Sequence, residues 1–121
     1  MIIADFFKMG LNKKHIFSLK ADATDLPFIK DFFIAFISVY SYNYFGRDEN
    51  YLDDKLLPFV KKVGYIYIAV ASMKKDSHKN LPDVFLLSYS DKQLEYLHDI
   101  NYWSKILKKS KNAEIISIEE I

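Results

Sequence analysis

The chain has no cysteine, only three glycines and three prolines, and almost no net charge, +1 from 17 basic and 16 acidic residues. Each shortage excludes something. Without cysteine there are no disulfides, no thiolate zinc sites and no cysteine nucleophile, which suits a reducing cytoplasm. The near-neutral total lacks the basic excess of nucleic-acid binders. Gly10, Gly46 and Gly64 stand alone, so neither a dinucleotide G-x-G-x-x-G nor a phosphate-binding G-K-[ST] loop is present. There is no G-x-S-x-G nucleophile elbow. The start, MIIADFFKMG, carries Asp5 and no basic leader region, unlike a secretory signal. The longest apolar run, Phe32 to Tyr42, is shorter than the ~20 residues a membrane span needs.

What is abundant is apolar and aromatic surface: 50% of the 121 residues are hydrophobic and 17% aromatic. That supply supports one globular domain over 1–121 with a core of its own. Residues 2–9 fit a helix or a strand. His15 to Lys20 alternates as a strand does. Thr24 or Asp25 can cap a helix with Pro27 in its first turn. That helix is expected to run to about Phe45 and stop at Gly46, apolar nearly all round and central to the core. A second helix is expected from about Glu49 to Val63, kinked or split by Pro58 and capped by Gly64. YIYIAVAS, Tyr65 to Ser72, reads as a central strand covered on both faces, and Val84 to Tyr89 as its hairpin partner. Ser90 or Asp91 begins a helix to about Ser110, and Glu114 to Ile118 forms a last strand. The expected fold is α/β in the broad, α+β, sense: a mixed sheet of four to five strands with helices packed on it. The expected buried set is Phe32, Phe36, Tyr65, Ile68, Val70, Phe85, Leu87, Ile100 and Trp103.

No constellation for catalysis emerges. His15, His78 and His98 fall on three different elements and share no metal-ligand spacing. The expectation is no catalytic residue, no metal, no cofactor, no small-molecule substrate, no nucleic acid and no membrane. Surfaces remain. Asp48, Glu49, Asp53 and Asp54 put four acids in seven residues around Tyr51. Acids at a helix start suit its positive end, and they also suit a basic partner. On the last helix, at about 100° per residue, Asp91, Glu95 and Asp99 align at i, i+4 and i+8, with Tyr102 one turn beyond. The positive end of the helix explains part of this but not the alignment, since aligned acids repel slightly; with an interleaved tyrosine they also suit a surface that meets a basic protein.

In overall character the chain resembles small bacterial toxin-immunity proteins, including those of contact-dependent growth inhibition systems: short cytoplasmic α/β chains without catalytic motifs, rich in Tyr and Phe, with local acidic patches. The resemblance rests on no shared motif. It implies a non-catalytic antitoxin that occludes the active site of a basic nuclease toxin. Phage-encoded inhibitors of host defence share this profile, and a small enzyme such as a ribonuclease is the reading from another class.

Overall fold

FIAFISV is built from residues that favour a pleated backbone, β-branched Ile34, Ile37 and Val39 with Phe33 and Phe36, and it forms strand β1 (Phe33–Val39). In the computed structural model, which describes residues 18–74, 83, 87 and 89–121, β1 is followed by a four-residue helix α1 (Tyr42–Phe45), a π turn (Leu52–Leu56) and a 3-10 turn (Leu57–Phe59). Then come strand β2 (Val60–Ala69), helix α2 (Asp91–Leu94) and helix α3 (Ile100–Leu107). β1 and β2 pair in parallel and are the whole sheet among the described residues. Parallel neighbours need a long crossover, here supplied by the segment from Tyr40 to Phe59 with its three short turns.

The expectation of a four-to-five-stranded mixed sheet is corrected to this two-stranded parallel one. The central helix to Phe45 is also corrected: its middle is β1. Asp31 (φ 54°) and Tyr40 (φ 56°) flank β1 in the left-handed region, which a right-handed helix cannot pass through. The helix expected over 49–63 ends early. Leu56 and Pro58 tighten the chain into a 3-10 turn, and the chain is extended from Val60 on. The expected break at Pro58 is there, but beyond it the chain runs as strand. The helix expected over 91–110 is two pieces, interrupted between Leu94 and Ile100. Residues 114–118 carry no strand. The readings over 2–9, 15–17, 84–86 and 88 lie outside the described residues; 18–20 carry no strand, against the one expected over 15–20, and Leu87 is helical.

Along β1, Phe36 and Ser38 face inward while Ala35, Ile37 and Val39 face out; along β2, Ile66 and Ile68 face inward and Tyr65 and Tyr67 out. Register joins Ala35 to Tyr65, Ile37 to Tyr67 and Val39 to Ala69. Before that, Phe33 pairs with Val60, so β2 spends five residues where β1 spends two. Gly64 sits in this bulge. A Cβ there would lie 2.7 Å from the Ile34 carbonyl oxygen and 2.6 Å from Val60, so only glycine lets the strands close.

The core lies where the crossover meets the inner face. Tyr42, Tyr51, Leu52, Leu56 and Trp103 are buried together, with Phe36, Ile66, Ile68 and Val70 packed against them. Tyr42 meets Tyr51 edge-on at 5.8 Å, and the Trp103 ring lies tilted to it at 6.2 Å. Burial pushes the Tyr42 phenol far above its ordinary value, helped by Tyr51 and Asp53. Tyr51, raised by burial and by Asp22, donates its hydroxyl to the Ala23 carbonyl at 2.8 Å. Trp103 is buried as expected, and Phe36, Ile68, Val70 and Ile100 are half-buried. Phe32, Tyr65 and Leu87 are exposed, against expectation; Phe85 lies outside the described residues. Among the described residues no helix is long and apolar enough to cross a membrane.

Candidate functional site

The first acidic group folds back onto its own chain. Asp53 takes the Ser110 hydroxyl and the Lys111 amide. Burial works against the charge of Asp53, yet these bonds and that of the Asn112 amide hold its carboxyl below the ordinary range. Glu49 pairs with Lys109. Asp48 accepts from the Asn50 amide at 3.0 Å, an Asx turn within the crossover. These contacts tether the end of α3 to the π turn. Asp54 is exposed. Tyr51, expected at the surface between these acids, is a core residue instead.

The second acidic group does not form a stripe, because the helix that would align it is interrupted. Asp91 opens α2 behind a capping box in which Ser90 and Gln93 each accept the other's amide, at 3.2 and 2.9 Å. Glu95 follows the end of α2, and its carbonyl accepts from Arg47 at 3.3 Å. Asp99 caps α3 by accepting from the Tyr102 amide at 2.9 Å. Tyr102 is half-buried and stacks on His98 with 3.6 Å between ring centroids. Asp91 and Glu95 are exposed, whereas Asp99 is half-buried. Among the described residues no three His, Asp or Glu side chains converge as metal ligands.

Two features invisible in the sequence replace these stripes. One is the outer face of the sheet. Ile37 (69%), Val39 (58%), Tyr65 (50%) and Tyr67 (56%) are exposed side by side, and the two tyrosine rings lie 6.2 Å apart. The other is a half-open cleft of about 190 Å³ at the carboxyl ends of both strands. Tyr40, Asn43 and Tyr44, just past β1, and Ala71, just past β2, form one side; Tyr89, Gln93, Tyr96 and Leu97 form the other. Tyr44 meets Tyr96 edge-on at 4.9 Å, and the Arg47 guanidinium lies 4.2 Å from the centre of the Tyr96 ring. Tyr42, between Tyr40 and Tyr44, turns into the core, so the alternating YSYNY pattern divides its tyrosines between core and cleft. Had β1 been read as a strand, the rule that open α/β sheets bind ligands beyond their carboxyl ends would have pointed to these residues.

The chain matches no family model, and no curated protein or solved structure is significantly similar to it.

Proposed function

We propose that this chain is a non-catalytic binding protein that neutralises a protein partner by occluding it, in the manner of a cytoplasmic immunity protein. The observation that supports the reading is the exposed outer sheet face, where Ile37, Val39, Tyr65 and Tyr67 form one apolar, tyrosine-rich patch. Patches of this kind on otherwise polar surfaces mark protein interaction sites, and tyrosine is among the residues enriched at interfaces and their hot spots. The partner proposed is the basic nuclease domain of a toxin. Within the two acidic groups, Asp54, Asp91 and Glu95 are exposed and their side chains neither cap nor tether another segment, and they would steer a basic partner.

Co-purification of the chain with the product of a neighbouring toxin reading frame tests the reading. The parent should form a stable complex. Tyr65→Ser with Tyr67→Ser should lose it, because both side chains already face out and their removal leaves the fold intact. Asp54→Lys, Asp91→Lys and Glu95→Lys together should slow association, most at low salt. A complex unchanged in every variant would remove both the sheet face and the acids from the interface.

A further inference from the structure

We propose that the cleft beyond the carboxyl ends of β1 and β2 binds a small, neutral, planar ring bearing an N–H donor, a nucleobase or nucleoside in chemical class. Neither this ligand nor the protein partner proposed above depends on the other, since the outer sheet face and the cleft are formed by different residues.

Three observations carry the assignment. The first is position: both strands run in parallel and end at this edge, the end at which larger open α/β sheets hold their ligands. The second is an unmet acceptor. Asn43, only 6% exposed, borders the cleft, and its Oδ1 has no hydrogen-bond partner among the described residues. A carbonyl withdrawn from water stays costly until a donor arrives; Oδ1 is closed to solvent, and a ligand that draws the Asn43 amide toward the cleft it borders would supply that donor. The third is strain. Tyr40 borders the cleft in the left-handed region, at φ 56°, where a side chain with a Cβ is disfavoured. It is held there by its amide, which donates to the Ala69 carbonyl at 2.7 Å. Backbone strain of this kind gathers at ligand clamps.

The lining then selects the ligand. Its side chains include four tyrosines and no charged residue, which favours a flat, uncharged ring over an ion. Arg47 lies on the Tyr96 ring and donates to the Glu95 carbonyl, so its charge is engaged outside the lining. Gln93 has its Oε1 occupied by the Ser90 amide, which leaves its Nε2 hydrogens as what it can offer. Asn43 can accept and Gln93 can donate, the two functions that a nucleobase edge answers, and phenol rings suit its faces. A volume of about 190 Å³ falls below the ~300–1,000 Å³ of drug-sized sites, which fits a base and leaves a ribose at the open side.

The test is an NMR titration of the isotope-labelled full chain with adenosine, guanosine, cytidine and uridine in turn, with methyl glucoside and phenol as controls. At least one nucleoside should shift the amides of Tyr40, Asn43, Gln93 and Leu97, and neither control should match it. Tyr40→Gly removes the ring while fitting the left-handed backbone. It should keep the parent's melting temperature and weaken binding about tenfold or more, the size expected for a lost stacking partner. Asn43→Leu should weaken it further; if that variant does not fold, Tyr40→Gly decides alone. No shift with any nucleoside, equal shifts with glucoside or phenol, or undiminished binding by Tyr40→Gly would overturn the proposal.

Discussion

Replacing Gly46 with alanine sets two effects of opposite sign against each other. Gly46 closes α1 at φ −73° and ψ −2°, a conformation alanine adopts freely. On backbone grounds alone the substitution should stabilise by about 0.4–1 kcal/mol, by restricting the unfolded chain. The new methyl group, however, would sit 1.9 Å from Cε1 and 2.4 Å from Cδ1 of Tyr42. That ring cannot swing aside, since it is buried against Tyr51 and Trp103. Overpacking of a filled core costs about 1–3 kcal/mol, so the clash outweighs the backbone gain and the variant should be less stable by about 1–2 kcal/mol. Urea unfolding of Gly46→Ala, Tyr42→Leu and the double variant checks the cause. Tyr42→Leu is destabilising by itself, but it removes the ring the methyl strikes. Adding Gly46→Ala to that background should therefore show only the backbone gain of about 0.4–1 kcal/mol, and the two changes should be non-additive by about 1–3 kcal/mol, the size of the clash. Additive losses, or a stabilised Gly46→Ala, would refute the packing of Tyr42 against Gly46.

Leu56 is the most completely buried large side chain among the described residues, so Leu56→Ala should lose about 2–5 kcal/mol in denaturant unfolding, and a loss under about 1 kcal/mol would move the core elsewhere. Asp53 has a lowered carboxyl pKa, so the tether it makes is complete above the ordinary carboxylate value and is lost as pH falls through the lowered one. The Lys111 amide resonance should therefore titrate with a midpoint below 3.8, and Asp53→Asn should abolish that titration. Tyr42 and Tyr51 have raised phenol pKa values, so stability should be level up to about pH 10 and fall as pH rises beyond it. Tyr42→Phe should flatten much of that fall in a series of alkaline melting temperatures.

The sequence showed where the apolar surface lies but not which elements carry it. Trp103 is buried on a helix as expected, because four-residue spacing over Ile100–Leu107 is long enough to distinguish a helix from a strand. FIAFISV is not: a short run apolar on both sides fits a buried helix and a strand equally well. The branched side chains that tip it to β1 lie among phenylalanines indifferent to the choice. Of the left-handed residues that flank it, Asp31 is of a type that tolerates that region, but Tyr40 carries no such signal. Pro58 announced a break, and the break came, but the sequence did not say that the chain would leave it extended. The alignment of the second acidic group failed for one reason. Side-chain stripes presume a continuous helix, and the turn at 95–99 divides the one that would align Asp91, Glu95 and Asp99. Asp48 and Asp99 are engaged by backbone amides two and three residues on, uses to which aspartate is well suited, and Asp53 binds across the fold to Ser110 and Lys111. The cleft was hidden because its two sides come from segments about fifty residues apart, each ending beside the parallel pair β1 and β2.

The proposal that this chain neutralises a toxic partner through its outer sheet face is tested most directly by growth. Each protein encoded immediately beside the chain would be induced in a sensitive host, alone, with the parent chain, and with the Tyr65→Ser, Tyr67→Ser variant. One neighbour should arrest growth alone; the parent should restore it, and the variant, folded and present in equal amount, should not. Failure of the parent to relieve any toxic neighbour, or full protection by the variant, would contradict it.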